Sequence, residues 1–220
     1  MLNSIVENKK VNRLYNDVDY LFKEFYAKQN NIKDFIEIAK DIDVISNKWN
    51  IRYRHLSILG DPAQHAVNVA ILNSKIGAYF KVDKTFELIL GGLLHDIGKF
   101  YIPDSIRCKP GKLTDNERVE MAKHPDIGVE LLQGKIDNEN VLDIIRNHHL
   151  TINSLPCPIC INDVTIDNSV ALPLICGVSD ITDAMLSYRV YKEPLSIQET
   201  KYELISKGVR NVDKILEFIL

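Results

Sequence analysis

Leu93-Leu94-His95-Asp96-Ile97-Gly98-Lys99, continuing as Phe100-Tyr101-Ile102-Pro103-Asp104, is the stretch around which the chain is organised. A His-Asp pair inside an apolar segment needs a partner, because buried charge is costly unless it is paired or bound to metal. At helical periodicity Phe86, Ile89, Leu90, Leu93, Leu94 and Ile97 form one apolar stripe. His95, Asp96, Lys99 and Gly92 fall opposite it, so the spacing predicts a helix over 84–99 buried on two sides. Gly91 and Gly92 weaken that helix but leave room for a neighbour to come close.

Working outward, the same periodicity recurs along the chain. It predicts helices over 3–28 and 32–48, the second carrying Phe35, Ile36, Ala39, Ile42 and Ile45. Asp61-Pro62 reads as an N-cap followed by proline at the first helical position, with His65 one turn in. Residues 102–112 read as a Pro- and Gly-bearing loop. Thr114…Glu117 and Ser196…Glu199 read as capping boxes. Proline at 125 breaks the helix that precedes it and leaves His124 at the break. In the segment over 139–149, His148 and His149 extend the stripe of Val141, Ile144 and Ile145, which points both inward. A helix over 170–187 carries Asp180 and Asp183 on one face, and a last helix starts near Asn211. No alternating strand pattern is found. The expected fold is all-α, a bundle of roughly eight or nine helices. Its N-terminal extension, residues 1–55, is set apart from a main domain over 56–220.

Composition narrows the function classes. The chain has 220 residues, 45% of them hydrophobic and 26% charged, as expected of a soluble globular protein with one substantial core. A net charge of −3 argues against bulk nucleic-acid binding. Apolar runs fall short of the ~20 residues a membrane helix needs. Four cysteines without framework spacing fit a cytoplasmic protein, and Cys157-x-x-Cys160 has no second pair to complete a zinc site.

Of six histidines, His65, His95, His124, His148 and His149 sit on or beside separate predicted helices, with Asp96 and Asp180 supplying carboxylates; His55 lies outside the pattern. Imidazole with carboxylate suits iron, manganese, zinc or nickel better than magnesium or calcium. The set exceeds what one tetrahedral ion takes, and fits two ions sharing a carboxylate.

The order His…His-Asp…His…His-His…Asp resembles the HD superfamily of metal-dependent phosphohydrolases. The His95-Asp96-Ile97-Gly98-Lys99, Ile102-Pro103-Asp104, Lys109-Pro110-Gly111-Lys112-Leu113-Thr114 and His124-Pro125 segments are similar to the HD-GYP family of cyclic di-GMP phosphodiesterases. Ser179–Met185 and Arg189–Lys192 resemble that family's later segment. The likeness covers about residues 60–220.

It implies an HD-domain helical bundle. His65, His95, Asp96 and Asp180 would hold one ion, and Asp96 would bridge to a second held by His124, His148 and His149, with iron or manganese as the expected metals. A third ion would involve Asp61, where some relatives have Glu, although the N-cap role already accounts for Asp61. Lys99, Asp183, Arg189 and Lys192 match positions that contact substrate phosphates or support the site. Asp96 and Lys99 would carry the catalysis: a water between two cations attacks phosphorus while Lys99 offsets charge on the phosphoryl oxygens.

The implied substrate is a nucleotide second messenger, cyclic di-GMP foremost. A possible homodimer would form through the N-terminal helices. One departure stands out. Where the family has Glu and a Gly-Tyr-Pro loop after the paired histidines, this chain has Leu150-Thr151-Ile152-Asn153-Ser154-Leu155-Pro156. That keeps two alternatives: an HD phosphohydrolase for another nucleotide, or a catalytically weak metal- and nucleotide-binding signalling protein.

Overall fold

The computed structural model describes residues 2–26, 32–49, 61–149, 168–188, 193–209 and 211–219. His55, Cys157, Cys160, Arg189, Lys192 and the segment 150–167 lie outside the described residues. Within them the protein is all-α, without a β-strand.

Helix α3, Pro62–Tyr79, is the axis of the fold. Nearly every residue from Ala63 to Gly77 is buried, which marks a helix enclosed by others on all sides. Its start follows the sequence reading: Pro62 occupies the first helical position, and the Asp61 carboxylate accepts from the backbone N–H groups of Ala63 and Gln64 at 3.0 Å each. Helix α4, Thr85–Leu94, returns antiparallel to it. Gly92 sits where a Cβ would come within 2.9 Å of the Ala70 Cα, which is the close approach that the paired glycines predicted.

Helices α1, Leu2–Tyr26, and α2, Ile32–Trp49, pack against α3 and α4. Val18, Phe22, Phe35 and Ile42 belong to the same buried cluster as Ile71 and Leu90. The apolar faces of both helices are therefore spent inside the chain's own core, and a second copy would meet their outer faces, where Tyr20 and Val44 are exposed.

The predicted helix over 84–99 is corrected. Helix α4 stops at Leu94, His95 caps it, and a 3-10 helix follows over Ile97–Tyr101. The reason lies at Gly98. A Cβ there would stand 2.0 Å from the His124 carbonyl oxygen and 2.7 Å from the Gly128 nitrogen. The backbone turns so that this glycine can lie flat against the next layer. The expected loop over 102–112 also contains a short helix α5, Asp104–Arg107.

The two capping boxes form as read. Thr114 starts α6, Asp115–Met121, and Ser196 starts α10, Ile197–Ser206. Helices α7, His124–Leu132, and α8, Glu139–Asn147, pack on each other. Helix α9, Asn168–Leu186, packs on both α8 and α3. Helix α11, Val212–Ile219, closes the far side of α3.

Candidate metal centre

Four histidines converge because each stands where a helix ends or is enclosed. His95 caps α4, His124 opens α7 directly after α6, and His148 caps α8. Each donates its Nδ1–H to the carbonyl three residues earlier: His95 to Gly92, His124 to Met121 and His148 to Ile145, all at 2.8 Å. A carbonyl can only accept, so these bonds place the proton on Nδ1 and turn the Nε2 lone pair inward. His65, buried on α3, is held in the same sense by the Asp183 carboxylate, 2.6 Å from its Nδ1.

The four Nε2 atoms surround Asp96, whose oxygens divide them. Oδ2 lies 3.3 Å from His95 Nε2 and 3.8 Å from His65 Nε2. Oδ1 lies 3.2 Å from His124 Nε2 and 3.8 Å from His148 Nε2. Asp180 enters from α9, 3.1 Å from His65 Nε2, and groups with His95 and His148. Lys99 reaches Asp96 Oδ2 at 2.5 Å.

Two features show that this cluster fits divalent metal. His95 Nε2 and Asp96 Oδ1 are buried without a hydrogen-bond partner, a state that otherwise costs about 1–3 kcal/mol per group. His124 Nε2 and His148 Nε2 face each other at 3.3 Å, two lone pairs that a shared cation would reconcile. The groups that could take an ion are His65, His95 and Asp96 on one side, and Asp96, His124, His148 and His149 on the other, with Asp96 common to both.

The charge states fit as well. Burial penalises a charged Asp96, but His95 and Lys99 overcome it and hold the carboxyl well below the usual range. Asp180 is likewise held low against burial by its bond to His65. Burial, with His95 and His149 alongside, pushes His148 well below an ordinary histidine, and burial lowers His149 to about 4. Both rings therefore stay neutral and able to ligate at neutral pH. For His65, burial works against the proton, yet Asp180 and Asp183 win and raise it to about 9.

Two readings of side chains change here. His149, expected to point inward with His148, lies at the rim of the group, exposed as a residue while its ring is partly enclosed beside His124 and His148. Helix α8 ends at Asn147, so the inward stripe finishes at His148. Asp183, matched to substrate contact or support, is fully buried and faces His65 rather than an open surface. Its oxygens are taken by His65, by Asn68 at 2.8 Å and by Ser187 at 3.2 Å. Asp61 is engaged as an N-cap and belongs to none of the metal-competent groups among the described residues.

The sequence reading missed Asn68 and Tyr15, whose hydrogen bonds continue behind Asp183. It also missed a groove of about 600 Å³ lined by His124 and His149, by the apolar Leu113, Met121 and Pro125, and by the charged Arg118, Asp126 and Arg146.

This fold and site define a class. The model of the HD domain family matches residues 63–185, more than half of the chain, and the chain belongs to that family. It is 41% identical over 104 residues to the cyclic di-GMP phosphodiesterase response regulator RpfG of Xanthomonas campestris, a match covering 46% of this chain and 26% of that protein. It is 29% identical over 212 residues to a cyclic di-GMP phosphodiesterase of Thermotoga maritima, covering 90% of this chain and 56% of that one. The chain thus spans about half or less of the length of these relatives. Among solved structures, an HDG"Y"P protein from Bdellovibrio bacteriovorus superposes with a TM-score of 0.64 at 18% identity, over 94% of this chain and 69% of that one. That likeness concerns the fold.

Proposed function

We propose that this chain is a metal-dependent phosphodiesterase acting on a cyclic dinucleotide, with cyclic di-GMP as the first substrate to test. The observation that carries the reading is the convergence of four histidine Nε2 atoms on the two oxygens of Asp96. His65, His95, Asp96 and Asp180 are assigned to one divalent ion; Asp96, His124, His148 and His149 to a second. Iron or manganese suits this mix of imidazole and carboxylate. Bound there, the cations supply an acidified water and polarise the phosphoryl oxygens.

The protein's own part is positioning and charge. The backbone carbonyls behind His95, His124 and His148 keep each ring from turning. Asp96, fixed by Lys99, holds the two halves of the site in register. Lys99 is about one-third exposed, so its ammonium can also meet the phosphodiester and stabilise charge developing on it. The groove beside His149 has the volume for part of a dinucleotide, and Arg118 and Arg146 place positive charge in its lining. Arg189 and Lys192 are proposed as further phosphate contacts on the strength of the sequence match.

Sequence supports a second reading. Residues 150–156 lack the Glu and Gly-Tyr expected after the paired histidines. That favours a different nucleotide as substrate, or a protein that binds metal and nucleotide with little turnover. Hydrolysis of cyclic di-GMP, of 3'3'-cGAMP and of linear dinucleotides by iron- and manganese-loaded protein separates these. Turnover of the cyclic substrates supports the phosphodiesterase. Nucleotide binding without turnover supports the signalling protein.

A further inference from the structure

The described N-terminal helix α1 touches the candidate centre through a buried line of hydrogen bonds. The Tyr15 hydroxyl donates to Asn68 Oδ1 at 2.9 Å. Asn68 Nδ2 donates to Asp183 Oδ1 at 2.8 Å. Asp183 Oδ2 accepts from His65 Nδ1 at 2.6 Å. Every member is buried: Tyr15 is 6% exposed, Asn68 1%, Asp183 0% and His65 4%.

The chemistry of the line has one direction. A carboxylate accepts only, so it must face the amide NH₂ of Asn68 and the Nδ1–H of His65. The Asn68 carbonyl is thereby turned toward α1, where the tyrosine hydroxyl satisfies it. That hydroxyl helps fix the amide with its NH₂ toward Asp183, and removing it loosens the bond to the group that orients His65. A second contact ties the same helix to the stretch that carries Lys99. Phe22 packs on Phe100 with ring centroids 4.9 Å apart, and Phe100 follows Lys99 in the 3-10 helix.

We infer that α1 is a positioning element of the metal centre, with the Tyr15 hydroxyl acting through Asn68 and Asp183 to hold His65 in the tautomer and orientation that ligation needs. This rests on the reading of His65 as a ligand. It assigns the N-terminal helix a role in holding the ligand set: loss of the Tyr15 contact lowers the affinity of the ion at His65.

The test is Co²⁺ titration of the full chain, followed by its visible absorption, for the wild type and for Asp183→Asn, Tyr15→Phe and Asn68→Ala. Asp183→Asn is expected to weaken the ion at His65 by roughly 10–100-fold, the scale of losing the partner of a ligating histidine. Tyr15→Phe, two links further out, is expected to weaken the same ion by about three- to tenfold and to shift its absorption, leaving the second ion unchanged. Phenylalanine keeps the ring packed. If that variant does not fold, Asn68→Ala breaks the same line one link closer, with a loss at least as large. Wild-type affinities and spectra in Tyr15→Phe, or in Asn68→Ala where it stands in, beside a weakened Asp183→Asn overturn the role of α1. Full Co²⁺ stoichiometry in His65→Ala overturns instead the assignment of His65, and with it the metal-centre reading beneath this proposal.

Discussion

His124 Nε2 and His148 Nε2 lie 3.3 Å apart, and as neutral rings neither can donate to the other, because the single proton of each sits on Nδ1 and is given to a backbone carbonyl. Two unshared pairs at that distance repel unless something positive stands near both. The sequence places these histidines 24 positions apart, on the ends of different helices. Their meeting is a property of the fold, and it predicts cooperative loss: His124→Ala or His148→Ala should each weaken one ion strongly, and the double variant should add little. Metal titration of the three variants checks this; additive losses would mean that the rings do not share an ion.

Metal binding should be steeply dependent on pH. In the metal-free protein His65 is raised to about 9 by Asp180 and Asp183 against the effect of burial. Its contribution to the stability of the metal-free fold is therefore full below about 6.5 and is lost as pH rises through about 9. An ion at His65 must displace that proton across the same window. Affinity is expected to rise by up to about tenfold per pH unit from 6.5 toward 9 and then to level off. Calorimetry in buffers of different ionisation heat should show a proton released at pH 7.5. No release, with flat affinity between pH 7 and 9, would contradict the assignment.

Lys99 should separate binding from catalysis. Its ammonium lies against Asp96 Oδ2 yet is partly open to solvent. Lys99→Met is expected to keep both ions while lowering kcat by roughly 100-fold, the scale of removing one preorganised charge-stabilising donor. Metal analysis alongside steady-state kinetics checks this. Unchanged kcat would assign Lys99 to Asp96 alone.

Much of this site was legible from local chemistry. Asp61, Thr114 and Ser196 announced helix starts because a cap depends on residues a few positions away. The His95-Asp96 pair and the scattered histidines announced a cluster that could bind metal, because those residue types are otherwise costly to bury. What was hidden depended on distant partners. The Tyr15–Asn68 bond spans 53 positions and the Asp183–His65 bond spans 118, so no periodicity could reveal either. The end of α4 at Leu94 was hidden for the same reason: Gly98 makes sense only beside His124 and Gly128.

Gly98 gives a prediction of its own. A methyl group there meets backbone atoms on two sides, at 2.0 Å from a carbonyl oxygen and 2.7 Å from a nitrogen. Backbone yields little, so Gly98→Ala should destabilise the fold by about 1–3 kcal/mol and lower affinity for the ion at His124. Urea unfolding and metal titration check both. A variant of wild-type stability would show that the 3-10 helix does not need this contact.

Glu117 should give the fold an acid-sensitive contact away from the metal ligands. Both its oxygens accept from Lys109 Nζ, at 2.8 and 2.6 Å, while it also closes the capping box with Thr114. Lys109 and the Thr114 N–H lower its carboxyl to about 2. Its contribution is thus present above about 4.5 and lost as pH falls toward 2. Glu117→Gln should unfold at a lower temperature than wild type at pH 6, and the gap should narrow below about pH 4.5 and close only near pH 2. A gap that persists at low pH would contradict the ionic account.

The central claim is that two divalent ions share Asp96. Its most direct measurement is the metal content of protein purified without chelators and reloaded with iron or manganese, for the wild type and Asp96→Ala, with cyclic di-GMP hydrolysis measured on the same samples. The account predicts two ions per chain and turnover in the wild type, and loss of both in Asp96→Ala. Two ions retained in Asp96→Ala, or none bound by the wild type, would contradict it.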